Sequence, residues 1–173
     1  PRMTVAENLS LALRRGLKRG LKKGYTAEEL EQFKALLTPL QLGLEERLDA
    51  EIGLLSGGQR QAVSLLMATL RTPELLLLDE HTAALDPKAA AKIMKLTQEI
   101  VRKHHITCLM VTHQMQQALE VGDRTIMMND GHIAIDIKDE QRANMSVYDL
   151  MECFHANTGS DLEDDHILLA KQV

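Results

Sequence analysis

Apolar positions along the chain follow two periods. Val5, Leu9 and Leu13 lie one helical turn apart behind Thr4-Val5-Ala6-Glu7, a capping-box pattern, and predict a first helix over 5–15. Thr26-Ala27-Glu28-Glu29 repeats the pattern, and Leu30, Phe33, Leu37 and Leu40 give the helix behind it an apolar face. A third helix starts at Ser56, a good N-cap, because Val63, Leu66, Met67 and Leu70 fall at i, i+3, i+4 and i+7. After Pro73 the period changes. Leu75-Leu76-Leu77-Leu78 is an unbroken apolar run, the mark of a short, fully buried strand in a parallel sheet. Pro87 suits the first position of a further helix, which Ile93, Leu96 and Ile100 carry toward the sheet and His104 and His105 close. Residues 106–111 read as a second buried strand. Strands over 124–128 and 132–137 are joined by Asn129-Asp130-Gly131, with Ile133, Ile135 and Ile137 on one face. A short helix follows Ser146, where Asp149 completes a weaker box.

Composition narrows the class. The chain has 173 residues, 45% of them hydrophobic, enough for one domain with a sizeable core and a small subdomain. No apolar run approaches the ~18 residues of a membrane span, and Pro1-Arg2-Met3-Thr4 shows no signal-peptide core, so a soluble chain is expected. Cys108 and Cys153 have neither metal spacing nor a disulfide framework, which suits a reducing cytosol. A net charge of −5 and only 2% aromatic residues argue against a nucleic-acid binder. The run from Arg14 to Gly24 is basic, with a glycine at every fourth position. Its glycine spacing does not fit a phosphate loop, and its lysines exclude a membrane helix face. A solvated basic loop remains, with contact to anionic lipid headgroups or an acidic partner surface as the alternative. The acidic tail 159–166 lacks the spacing of a calcium loop and reads as solvated.

Three places carry candidate chemistry. The helix opened by Ser56 begins with Gly57-Gly58, so backbone N–H groups and the positive end of the dipole face outward without side chains in the way, as a phosphate requires. The alternative is an ordinary cap followed by a flexible turn. Asp79 and Glu80 stand together at the mouth of an apolar strand, which suits a cation or a water to be activated; the alternative is a strand running out into solvent. His113 follows the 106–111 strand, and ligands of parallel sheets sit at the carboxyl ends of strands. His81 reads as a structural loop residue.

In order along the chain, Leu55-Ser56-Gly57-Gly58-Gln59, the strand ending in Asp79-Glu80, Ala84-Leu85-Asp86 and Val111-Thr112-His113 resemble the signature, Walker B, D-loop and switch-histidine motifs of ABC transporter ATP-binding subunits. The resemblance covers residues 1–140. It implies an α/β, P-loop NTPase (ABC ATPase) fold, here incomplete. Residues 1–71 would be a helical subdomain ending in the signature helix. Residues 72–140 would be a partial RecA-like core with a mostly parallel sheet flanked by helices, and 141–173 a C-terminal helix and acidic tail. It implies ATP and Mg²⁺, with Ser56, Gly57, Gly58 and Gln59 binding nucleotide in trans, Asp79 holding the metal through water, Glu80 as general base, His113 at the γ-phosphate and Asp86 coupling the two sites. A second ATP-binding subunit, membrane permeases and an extracellular solute-binding protein would be the partners, and the inner face of the cell membrane the location.

An importer of amino acids or related solutes is the implied function. No segment matches the phosphate-binding loop, the Q-loop glutamine or the adenine-stacking aromatic, which in the family lie upstream of the position of Pro1. The chain therefore reads as the C-terminal part of a longer ATPase, inactive by itself, with a sheet edge left unpaired. Two alternatives stay open: a non-transport ABC ATPase of the DNA-repair or ribosome-associated kind, and a truncated interaction module without catalysis.

Overall fold

The computed structural model describes residues 2–17 and 24–159. Lys18, Arg19, Lys22 and Lys23 of the basic run and the tail from Ser160 onward lie outside the described residues. The chain divides into two compact units, Pro1–Met110 and Val111–Val173.

The first unit opens with helix α1 (Val5–Leu13) and continues through α2 (Ala27–Leu37), two 3-10 turns at Thr38–Leu40 and Ile52–Leu54, and α3 (Gly57–Thr69). Both threonine boxes form as read: Thr4 Oγ1 accepts from the Glu7 N–H at 3.2 Å while Glu7 Oε2 accepts from the Thr4 N–H at 2.7 Å, and Thr26 and Glu29 do the same. The α1 N-terminus is tied to the segment before α3, with Val5 N–H donating to Ala50 O and Ala6 N–H to Leu48 O. Arg14 belongs to the basic stretch but is not a solvated charge. Its guanidinium clamps both oxygens of Glu29 at 2.8 Å, and this hydrogen bonding holds the Glu29 carboxyl below its usual range. Val5, Leu9, Phe33, Leu37, Leu44, Val63 and Ile93 form the core that gathers these helices.

Strand β1 (Leu75–Asp79) and strand β2 (Thr107–Val111) pair as a small parallel sheet, with α4 (Pro87–His104) as the crossover. Asp86 caps α4 with Pro87 at its first position, and His105 closes it in the left-handed conformation at φ 51°. The expectation of strands buried on both faces is corrected here. Leu76 and Ile106 are buried against Leu65, with Leu96 and Ile100 alongside. Leu75, Leu77 and Leu109 are 52%, 64% and 55% exposed. Two strands covered on one face alternate, whatever the hydrophobicity of their sequence.

In the second unit β3 (Arg124–Asn129) and β4 (His132–Lys138) form an antiparallel hairpin. Asp130 and Gly131 both take positive φ, 48° and 78°, as a two-residue turn of the primed kind requires. The placing of Ile133 with Ile135 and Ile137 on one face is also corrected. The register steps from Met127↔Ile135 to Met128↔Ile133, so Ala134 is an extra residue and the alternation changes phase there. Ile135 and Ile137 are buried with Leu150 and Phe154, while Ile133 is turned out to solvent. Leu150 and Phe154 come from α7 (Val147–Thr158), capped by the Ser146–Asp149 box. Two further helices, α5 (Met115–Glu120) and α6 (Asp139–Ala143), have no side-chain cap and are not apparent from the sequence pattern.

Candidate functional site

The N-terminus of α3 is more tightly specified than a single N-cap. Ser56 Oγ accepts from the Gln59 N–H at 3.3 Å, and Gln59 Oε1 accepts from the Ser56 N–H at 3.0 Å, a complete capping box. The Ser-x-x-Gln spacing carries that signal in the sequence. Gln59 is bound further: its Oε1 also accepts from Arg47 Nη1 at 3.2 Å, and its Nε2 donates to Leu42 O at 2.9 Å. These partners lie 12 and 17 residues away along the chain, out of reach of any local pattern.

Both glycines of the motif are packing residues. A Cβ built on Gly57 would meet Leu85 Cδ2 at 3.2 Å, and one on Gly58 would meet Ala89 Cβ at 3.1 Å. Leu85 precedes Asp86, and Ala89 is the third residue of α4. The fold thus brings Gly57 and Gly58 against the segment that holds Asp86, within one unit.

That segment starts at the end of β1. Asp79 is the last residue of the strand, and Glu80 follows it in the left-handed region at φ 43°. Both residues are exposed, so water reaches the carboxylates. A glutamate in the left-handed region is uncommon, and such residues gather where geometry serves function. The chain then coils back, Ala83 N–H donating to Glu80 O at 3.0 Å and Leu85 N–H to Thr82 O at 3.2 Å. It ends on Asp86, whose Oδ1 accepts from the Ala89 N–H at 3.0 Å and so caps α4. No group of three or more His, Cys, Asp or Glu gathers as a metal cage among the described residues. One or two exposed carboxylates suit a magnesium ion that keeps its waters and takes its other ligands from phosphates.

His81 is part of this turn, half-buried, with Nε2 3.1 Å from Thr97 Oγ1. The Thr97 hydroxyl gives its single proton to Ile93 O at 2.9 Å, so His81 Nε2 carries the hydrogen and donates. Burial lowers the His81 pKa. The bond ties this turn to α4.

In the second unit, His113 is exposed and follows β2 by two residues. Its neighbours fix the backbone there: Gln114 N–H donates to Thr112 Oγ1 at 3.1 Å, and Thr112 Oγ1 donates to Gln117 Oε1 of α5 at 3.1 Å.

A helix opened by Ser-Gly-Gly-Gln, a strand ending in Asp-Glu and the capped turn that follows it have the fold of an ATP-binding cassette, a P-loop NTPase. Residues 1–83 match the ABC transporter family profile. Over that match and beyond it the chain is similar to ABC transporter ATP-binding subunits. It is 47% identical over 156 residues to a tyrosine transport ATP-binding protein of Clostridioides difficile (strain R20291), covering 89% of this chain and 61% of that protein. It is 38% identical over 136 residues to an aliphatic sulfonates import ATP-binding protein of Burkholderia cenocepacia (strain HI2424), covering 79% of this chain and 38% of that one. A bacterial ABC transporter cassette solved as a dimer superposes with a TM-score of 0.62 at 31% identity, covering 80% of this chain and 57% of that one. A metal-chelate type ABC transporter in an inward-facing conformation shares the fold, with a TM-score of 0.70 at 23% identity over 90% of this chain and 59% of that one. The chain therefore spans less than two thirds of the relatives it matches.

Proposed function

We propose that these residues belong to the ATP-hydrolysing subunit of a bacterial ABC importer, which works as a dimer beneath membrane permeases on the inner face of the cell membrane. The observation that carries the reading is the α3 N-terminus, opened by Ser56, Gly57 and Gly58 and packed on the turn that leads from Glu80 to Asp86. A helix start of this kind offers N–H groups and the positive end of a dipole to phosphate oxygens.

In this reading Ser56, Gly57, Gly58 and Gln59 close over ATP held by the partner subunit, and Asp86 couples the two sites. Asp79 holds Mg²⁺ through water, and the metal supplies charge neutralisation at the phosphates. Glu80 takes the proton of the attacking water, with its carboxylate aimed by the left-handed backbone, and His113 contacts the γ-phosphate. The phosphate-binding loop has no counterpart in the 173 residues, so the chain by itself is expected to show no turnover. The helical part over 1–71 serves the permease, 72–140 the chemistry, and 141–173 closes the chain. An extracellular solute-binding protein completes the system. Amino acids or related solutes are the proposed cargo, supported by the tyrosine transport relative at 47% identity.

The test is Glu80→Gln in a subunit that carries these residues together with its phosphate-binding loop. ATP binding should persist while turnover falls by about a thousandfold or more, the scale lost with a general base and its positioned water. Undiminished hydrolysis would refute the role given to Glu80.

A further inference from the structure

The geometry points to Gln59 as a positioning residue, held by Arg47 and the Leu42 carbonyl, that sets the Ser56 cap rather than touching nucleotide. This rests on the reading above for its catalytic consequence and narrows it in one respect, since Gln59 belongs to the closing segment without itself contacting ATP.

An amide side chain has one oxygen with two lone pairs and one nitrogen with two hydrogens. On Gln59 both lone pairs are taken, by Ser56 N–H at 3.0 Å and Arg47 Nη1 at 3.2 Å. One hydrogen of Nε2 goes to Leu42 O at 2.9 Å. Only one N–H remains uncommitted in these bonds, so reaching a nucleotide through the oxygen would mean breaking the capping box, the arginine bond or both.

Arg47 acts as a bracket. Its second arm, Nη2, donates to Leu54 O at 3.3 Å, so one guanidinium holds the residues on both sides of Leu55-Ser56-Gly57-Gly58. Hydrogen bonds from a charged donor are roughly twice as strong as neutral ones. The turn that carries Arg47 is itself anchored, with Arg47 N–H donating to Leu44 O and Ala50 N–H to Arg47 O, both at 3.0 Å. It is also tied to the start of α1 through Leu48 O and Ala50 O. A chain of bonds thus runs from α1 through Arg47 to Gln59 and the Ser56 N–H. Movement of that turn would reach the phosphate-facing end of α3 without any contact to nucleotide.

Hydrogen exchange on the full 173-residue chain tests the placement. In Arg47→Ala the Ser56 amide should exchange about tenfold faster, the factor that loss of one charge-assisted bond supplies, with the amides of α2 unchanged. Arg47→Lys keeps the charge but not the fork, and should accelerate Ser56 by a smaller factor; it serves where the alanine variant does not fold. Unchanged exchange at Ser56, or lost protection spread over the whole chain, overturns the inference. In a subunit that carries these residues with its phosphate-binding loop, turnover lost in Gln59→Ala should not fall further in the Arg47→Ala/Gln59→Ala double variant. Losses that multiply would mean that Gln59 acts separately from Arg47, and would also overturn it. If the parent subunit shows no hydrolysis, the importer-ATPase reading fails while the exchange result still decides where Gln59 is held.

Discussion

A methyl group added at Gly58 would meet Ala89 Cβ at 3.1 Å, whereas one at Gly57 would meet Leu85 Cδ2 at 3.2 Å. The two distances are nearly equal, but the neighbours differ in freedom. Leu85 can turn its side chain aside; Ala89 Cβ is fixed to the backbone of α4. Alanine is also favoured over glycine inside a helix by about 1 kcal/mol. Gly57→Ala should therefore be close to neutral in stability, and Gly58→Ala should cost about 1–2 kcal/mol through overpacking, as denaturant midpoints would show. Equal losses at both positions would contradict this account. His81 gives a second residue-scale expectation. Burial lowers its folded pKa below the ordinary 6.5, so the unfolded chain takes up its proton first as pH falls. This contribution to stability is complete above pH 6.5 and shrinks as pH drops from there toward the lowered folded value. His81→Asn should flatten the loss of unfolding midpoint as pH falls below 6.5 relative to the parent, measured in dilute solution.

At the scale of single elements, the capped helices are the most legible part of the chain. Thr4-Glu7, Thr26-Glu29 and Ser146-Asp149 all form the reciprocal bonds that their spacing announces, because both partners lie within one turn. Strands are less legible, since their burial depends on what lies across from them. Ile133, Ile135 and Ile137 have perfect alternation, and only the step in pairing at Ala134 separates the first from the others. Ile135→Ala should therefore cost about 2–4 kcal/mol and Ile133→Ala less than about 0.5 kcal/mol, read from chemical unfolding. Similar costs would place the two side chains on one face after all. The short helices α5 and α6 lack any capping side chain, and so left no mark in the sequence pattern.

For the whole molecule, the order of four motifs carries the family resemblance, because each motif is the end of an element: the start of α3, the end of β1, the cap of α4 and the exit of β2. The bonds that hold those ends are another matter. Arg47 to Gln59 and Gly58 to Ala89 join residues far apart in sequence, and only the folded chain shows them. The uncovered face of the small parallel sheet is of the same kind, since four leucines in a row do not reveal how many of them find a neighbour. Leu75, Leu77 and Leu109 each stand more than half exposed. Apolar surface in that position makes the chain a colloid as much as a folded domain, kept apart from its copies chiefly by a net charge of −5. That repulsion vanishes near the pI of about 5.8 and is screened within ~10 Å at 0.1 M salt, so mildly acidic, salty buffer is where this polypeptide will cling to itself.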